Sequence, residues 1–230
     1  MLSIIVPAHN EEAFIRQTLR ALDGAARETG EPFEMIVVDD ASTDRTAAIA
    51  AAQGARIVAT DVRQIAGARN AGARAARGDR LVFVDADTIV PPAVLRAAVA
   101  QMASGAVGGG ASPVFDAGTP AWARRTIGFT VWFMRTVGWA AGCFLFARRD
   151  AFEQAGGFDE RYFASEEIHL SRALKRLGRF VILSEPVVTS GRKAHAYSAS
   201  RALWLALKML RPGALKQREH LDFWYSGEDK

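Results

Sequence analysis

One cysteine, four histidines and five lysines are all that this chain of 230 residues holds of three chemically versatile side chains. The lone thiol, Cys143, excludes an internal disulfide framework and fits a reducing compartment. No basic n-region, apolar core and small-residue cleavage site opens the sequence, and the run Leu2 to Pro7 is too short for a signal peptide. The chain therefore reads as cytoplasmic. Long hydrophobic runs are missing too. Ile127 to Ala147 comes nearest to a membrane span, but Arg135, Gly138 and Gly142 interrupt it. A buried or interfacial helix followed by a strand is expected there. Repeats, low-complexity tracts and long linkers are also absent, which points to a single domain over 1–230.

Half of the residues are hydrophobic and 23% are charged, enough to build one substantial core under an ordinary soluble surface. The net charge of +4 is unevenly spread. Residues 1–115 carry 11 Lys+Arg against 13 Asp+Glu, and residues 116–230 carry 18 against 12, so the halves stand at −2 and +6. A basic second half suits an anionic partner such as a phosphate, an acidic lipid surface or a nucleic acid, with a solvated charged face as the competing reading.

The first half alternates strand and helix. Ser3 to Pro7 is a short apolar run, followed by a predicted helix capped by Asn10, with Glu11 and Glu12 in its first turn and an apolar stripe at Phe14, Ile15, Leu19, Leu22 and Ala26. Met35 to Val38 ends at Asp39-Asp40, with Ser42 as cap of the next helix. Arg56 to Ala59 and Leu81 to Val84 complete the strands, separated by a helix over Ala66 to Ala76. Pro91 and Pro92 open a helix reaching Met102. Continuous apolar strands between helices predict an α/β fold, a mostly parallel sheet covered on both faces, whose ligands sit at the carboxyl ends of the strands. The second half is less regular: a glycine-rich strand over Val107 to Phe115, a helix over Ala121 to Val137, a buried strand at Cys143 to Phe146, a helix over Glu166 to Leu177 capped by Ser165, and a helix near Ser200 to Leu210.

The acidic residues gather at predicted strand ends. Asp85-Ala86-Asp87 follows a buried strand, where two carboxylates one residue apart reach a hard divalent cation and leave positions for phosphate oxygens. A bare Asp-x-Asp is more often a solvated turn, and its position at a buried strand end is what favours a site. Asp39-Asp40 can accept from a base N–H or a ribose hydroxyl, or simply serve the next helix. Gly67-Ala68-Arg69-Asn70-Ala71-Gly72 opens a helix and suits an anion, although it is neither a Walker loop nor a dinucleotide fingerprint. Glu166-Glu167 starts a helix. Paired carboxylates raise one another's pKa, as a general base needs, while acids at a helix N-terminus also merely complement the dipole. Ser190-Gly191-Arg192-Lys193, with His195, forms a basic loop able to close on a diphosphate, or an ordinary surface loop.

Taken in order, Ser3–Glu12, Ile36–Asp44, Gly67–Gly72, Val84–Asp87 and Gly156–Glu160 with Glu166-Glu167 resemble the family 2 glycosyltransferases, which have the GT-A fold. The resemblance covers roughly residues 1 to 185. It implies a nucleotide-sugar part over about 1–115, an acceptor and catalytic part over about 116–197, and a C-terminal helix and tail over about 198–230. It further implies that Pro7, His9 and Glu11 line the nucleotide pocket, that Asp40 contacts base or ribose, and that Arg69 lies near the nucleotide. Asp85, Ala86 and Asp87 would meet ribose and diphosphate, with Asp85 and Asp87 holding Mg²⁺ or Mn²⁺ and Arg192 and Lys193 closing on the phosphates. Relatives usually carry Glu-Asp where this chain has Glu166-Glu167, the second residue acting as base. The processive Gln-x-x-Arg-Trp motif is absent, so single-sugar transfer is expected, and a metal-type acidic pair with a separate acid makes an inverting displacement the hypothesis for its mechanism. The donor would be UDP-, GDP- or dTDP-linked, and the acceptor a lipid-linked or cell-surface glycan precursor. A basic, apolar C-terminal helix would allow peripheral contact with the inner face of a membrane. No nucleic-acid partner is expected. A catalytically inactive nucleotide-sugar binder and a nucleotidyltransferase remain the alternatives.

Overall fold

The structure is a computed structural model describing residues 1–115, 136, 138–162 and 165–190. Four apolar runs become four parallel strands, β1 (Leu2–Ala8), β2 (Phe33–Asp40), β3 (Arg56–Thr60) and β4 (Arg80–Val84). Three further strands extend the sheet on the far side of β4: β8 (Phe144–Arg148), β6 (Gly108–Gly110) and β9 (Phe180–Ile182), giving the order β3-β2-β1-β4-β8-β6-β9. Only β8 runs antiparallel to its neighbours in this sheet. A second sheet of three strands has the order β5 (Thr88–Ile89), β10 (Val187–Thr189), β7 (Pro113–Phe115), and β5 follows β4 directly in the sequence.

Helices α1 (Ile15–Arg27), α2 (Thr46–Ala52), α3 (Ile65–Ala75) and α4 (Pro92–Ala103) connect the strands, and α5 (Arg149–Gln154) and α6 (Glu166–Leu177) follow β8. Strand periodicity sorts the core into two layers. Leu2, Ile4, Val6, Met35 and Val37 pack with Leu19, Leu22, Val94 and Leu95 on the α1 and α4 face. Ile5, Ile36, Val38, Leu81 and Phe83 pack with α3, Phe152, Phe158 and Leu174 on the other. Each large aliphatic side chain so buried contributes about 1.5–3 kcal/mol of transfer free energy.

The order reverses between β1 and β4, the switch point at which ligands of such sheets bind. Pro7 sits in this central strand without breaking it, because pairing with β4 stops at Ile5 and only β2 continues alongside Pro7.

Several local expectations are corrected. Asn10 is not a helix cap: it takes a left-handed φ of 53°, and α1 starts at Ile15 after a turn in which Phe14 and Ile15 N–H donate to Glu11 O. Ser42 caps nothing either. Its hydroxyl accepts from Asn10 N–H, while Asp44 receives the Thr46 N–H at the start of α2. Ser165 precedes α6 as expected, but with a φ of 67° and no side-chain capping bond. The single strand expected over 107–115 is two. Gly108–Gly110 is squeezed between β8 and β9, whereas Pro113, which cannot donate to a ladder, begins β7 in the other sheet. The helices expected over 121–137 and near 200–210 lie outside the described residues, apart from Thr136.

In β6 a Cβ at Gly108 would lie 2.7 Å from Phe146 O, one at Gly109 2.0 Å from Val181 O, and one at Gly110 2.5 Å from the Ala140 Cβ. On α3 a Cβ at Gly72 would lie 2.4 Å from the Ile5 Cγ2 and 2.9 Å from the Val38 Cγ2. That helix therefore rests directly on β1 and β2. Overpacking of this kind costs about 1–3 kcal/mol. Gly72→Ala should lower stability by that amount in urea unfolding followed by circular dichroism, and Gly72→Val by more.

Candidate active site

Three strand ends meet at the switch point. After β1, His9 Nδ1 lies 2.6 Å from Asp40 O and its Nε2 lies 3.2 Å from Asn10 Nδ2. Since a carbonyl can only accept, Nδ1 is the nitrogen that donates to Asp40 O. Asn10 Oδ1 accepts from Thr43 N–H at 2.8 Å, and Glu11 N–H donates to Thr46 Oγ1 at 2.7 Å. Loops after β1 and β2 are thus laced into one wall that contains Pro7, His9 and Glu11.

Asp40 is buried, and its carboxylate organises protein. Oδ1 accepts from Thr60 Oγ1 (3.0 Å) and Val62 N–H (2.8 Å), and Oδ2 from Gln64 N–H (3.1 Å). Three of its roughly four lone-pair sites are filled, leaving Oδ2 one for a ligand N–H or hydroxyl. Asp40 does not cap α2: its carboxylate shapes the loop from β3 into α3.

After β4, the turn Asp85-Ala86-Asp87 is fixed from three sides. Asp85 N–H donates to Cys143 O (3.3 Å), Thr88 N–H donates to Asp85 O (3.1 Å), and the buried Thr18 hydroxyl of α1 donates to Ala86 O (2.7 Å). Ala86 is itself buried, so its contribution is to backbone shape. The Cys143 thiol beneath is held protonated, raised by burial and then by the charges of Asp85 and Asp87, which excludes it as a nucleophile.

Arg69 joins this turn to α6. It is 2% exposed, the largest fully buried side chain of the described residues. One terminal nitrogen donates to Asp85 Oδ1 and to Gly142 O, both at 2.8 Å, and the other to Glu166 Oε1 at 2.7 Å. Its guanidinium also lies 5.2 Å from the centre of the Phe158 ring. The resemblance implies a place near the nucleotide. Both terminal nitrogens are turned onto protein acceptors, and two of those acceptors are the carboxylates of Asp85 and Glu166.

The two glutamates consequently differ. Glu166 is buried and paired with Arg69. Glu167 is half-buried, at the open side of Gly142, where an added Cβ would lie 3.7 Å from its carboxyl carbon. Its pKa is pushed up to about 8, by burial first and by the neighbouring Glu166 charge second, with Arg69 pulling the other way. His169 is not at the centre, and stacks on Tyr162 with ring centres 4.0 Å apart. Arg192, Lys193 and His195 lie outside the described residues. The nearest described segment is β10, where Thr189 pairs with Thr88, the residue after Asp87.

Other residues of the site gave no sequence signal. Thr18 grips a carbonyl 68 positions away, and Gln64 and Asn70 of the α3 region reach positions 158–162. Asn70 was legible only as part of a glycine-framed anion motif. In place, its amide exchanges two bonds with the Phe158 backbone, at 2.9 and 3.0 Å.

A mostly parallel sheet in the order β3-β2-β1-β4-β8-β6-β9 with helices on both faces is a GT-A fold, and solved structures share that fold. A mannosyltransferase from Pyrobaculum calidifontis in complex with GDP-Man and Mn²⁺ superposes with a TM-score of 0.66 at 24% identity, covering 89% of this chain and 59% of that one. Glucosyl-3-phosphoglycerate synthase from Mycobacterium tuberculosis, in complex with Mn²⁺, UDP and glucosyl-3-phosphoglycerate, does so with a TM-score of 0.60 at 22% identity, covering 98% and 79%. The chain belongs to glycosyl transferase family 2, whose profile matches residues 3–157. An undecaprenyl-phosphate 4-deoxy-4-formamido-L-arabinose transferase of Pseudomonas aeruginosa is 33% identical over 167 residues, 67% of this chain and 49% of the relative. This chain spans about half the length of that relative.

Removing one partner of a buried charge pair costs about 3–5 kcal/mol, because the other is left uncompensated. Arg69→Met should destabilise by that order in urea unfolding, and adding Glu166→Gln should recover a measurable part. Equal stability of the single and double variants would contradict a charge-compensating role.

Proposed function

We propose that the chain is an inverting transferase that moves one sugar from a nucleoside-diphosphate donor to an acceptor hydroxyl, with Glu167 as general base. One observation carries this reading: of two adjacent glutamates, Glu166 is committed to Arg69, and Glu167 is left with a raised pKa beside the guanidinium that also holds Asp85. A carboxyl with a pKa near working pH is suited to accepting a proton in the transition state. The shared guanidinium sets the base at a fixed separation from the acidic turn.

The donor would lie in the crevice between β1 and β4, against the wall containing Pro7, His9 and Glu11, with the remaining acceptor site of Asp40 toward base or ribose. Asp85 and Asp87 fit a hard divalent cation. Arg69 occupies one Asp85 oxygen and orients that carboxylate, and the turn's main chain is braced by two backbone bonds and the Thr18 hydroxyl. Among the described residues no group of three or more His, Cys, Asp or Glu side chains forms a cage. A cation here would share its shell with donor phosphates and water, as Mg²⁺ and Mn²⁺ commonly do. When bound, it supplies charge neutralisation for the departing diphosphate. Arg192 and Lys193 would add to that neutralisation from the segment after β10. Glu167 would take the acceptor proton as the hydroxyl oxygen bonds to the anomeric carbon, on the face opposite the breaking bond to the diphosphate.

Mn²⁺ with UDP or GDP-Man in the complexes of the structural neighbours supports this donor class. The undecaprenyl-phosphate of the Pseudomonas relative's name supports a lipid-linked acceptor, reached at a membrane surface. Among the described residues no helix is long and apolar enough to cross a membrane.

Isothermal titration with UDP, GDP and dTDP, with and without Mn²⁺, tests the donor site. One nucleotide should bind in a metal-dependent way, and Asp87→Ala should abolish that binding. Glu167→Gln should keep the nucleotide affinity and lose about 10²–10⁴-fold in kcat, the usual worth of a general base. Near-normal turnover would remove Glu167 from the reaction. The sign of the pH dependence follows from the raised pKa. Glu167 works only when ionised, so kcat/KM should climb about tenfold per pH unit below a midpoint near 8 and level off above it.

A further inference from the structure

The loop from β3 into α3 touches both halves of the site, and one side chain makes the crossing. Gln64 is buried. Its main-chain N–H is held by Asp40 Oδ2 at 3.1 Å, on the donor side. Its side-chain amide donates to Glu160 O at 2.6 Å and to Tyr162 O at 3.1 Å, on the segment that leads into α6 and Glu167. Both N–H groups of the amide are matched by carbonyls.

We propose that Gln64 is a positioning residue that ties the donor pocket to the general base. The inference rests on the transferase reading above and adds to it a physical path between its two sites. Asp40 Oδ1 also holds Thr60 and Val62, so its carboxylate sets the conformation of the whole loop. A nucleotide drawing on the last acceptor site of Asp40 changes the charge felt by the Gln64 N–H and orders the loop around it. The Gln64 amide passes that order to residues 160–162 as two main-chain hydrogen bonds. Asn70, bonded to Phe158 and to Glu160 Oε1 (2.8 Å), holds the preceding turn and the Glu160 side chain, so the main-chain carbonyls of residues 160 and 162 are left to Gln64.

Amide hydrogen exchange on the full chain, with Mn²⁺ and whichever of UDP or GDP binds it, reads this path directly. In the parent chain, nucleotide should slow exchange in residues 158–170. In Gln64→Leu the nucleotide Kd should stay within about twofold while the slowing in 158–170 disappears, since only the connection has been cut. Gln64→Glu, which sets a carboxylate against two carbonyl oxygens, should give the same loss and stands in if the leucine variant fails to fold. A second readout is donor hydrolysis, followed as free nucleoside diphosphate from UDP-glucose or GDP-mannose. Gln64→Leu should slow it about tenfold in the parent, yet change it less than about twofold in a Glu167→Gln background, because residues acting through one another are not additive. Unchanged slowing of exchange in both Gln64 variants, or additive rate losses, would overturn the proposal. Failure of the parent chain to bind either nucleotide would instead bring down the donor site itself, and this inference with it.

Discussion

A buried guanidinium cannot stand without compensation, and Arg69 obtains it from two directions. Asp85 arrives from the end of β4 and Glu166 from the start of α6, segments 81 positions apart in the sequence (166 − 85). The cost of leaving any of the three charges alone in the interior is large enough to dictate how the second half of the chain docks on the first. Glu167 then has no free choice of position. It is the next residue on a helix whose first turn has been pinned, and its carboxyl falls beside the same cation, on the side where Gly142 leaves room.

That docking requires an unusual helix. Eight consecutive residues of α3, Ala66 to Ala73, are buried, so the helix is covered on nearly every side. Small residues let it sit close to β1 and β2, and the same thinness allows residues 157–162 to cross its outer surface. Three polar side chains of this region, Gln64, Arg69 and Asn70, reach the segment from Phe158 to Glu166, and Arg69 also reaches the turn after β4. The strand ends provide the chemistry of the site, and α3 provides the spacing between its parts.

The fold of the first half was legible because its strands are continuous apolar runs with helices between them, a pattern governed by local burial. The acidic strand ends were legible for the same reason, since a carboxylate after Phe83-Val84 is conspicuous. Individual caps were not. Asn10 and Ser42 look like N-caps in sequence, yet their side chains and main chains bond each other's loops across more than 30 positions, an outcome no local rule carries. Spacing alone left the pair even between a base and a complement to the helix dipole, and only the resemblance pointed to the second residue; the asymmetry between them comes from Arg69, nearly 100 positions earlier. Val107 to Phe115 reads as one strand because its composition hides a change of sheet at Ser112 and Pro113.

The three glycines of β6 have a consequence for how this protein can change over generations. Every single-base change in a glycine codon that alters the residue adds at least a Cβ, and at positions 108 to 110 that atom meets main-chain oxygens or the Ala140 methyl rather than yielding side-chain tips. No small step leads away from glycine there. The strand joining β8 to β9 is therefore closed to gradual drift, while the exposed positions of α1 and α4 stay open to it. Variation among descendants of this chain should be lowest where the sequence looks least informative.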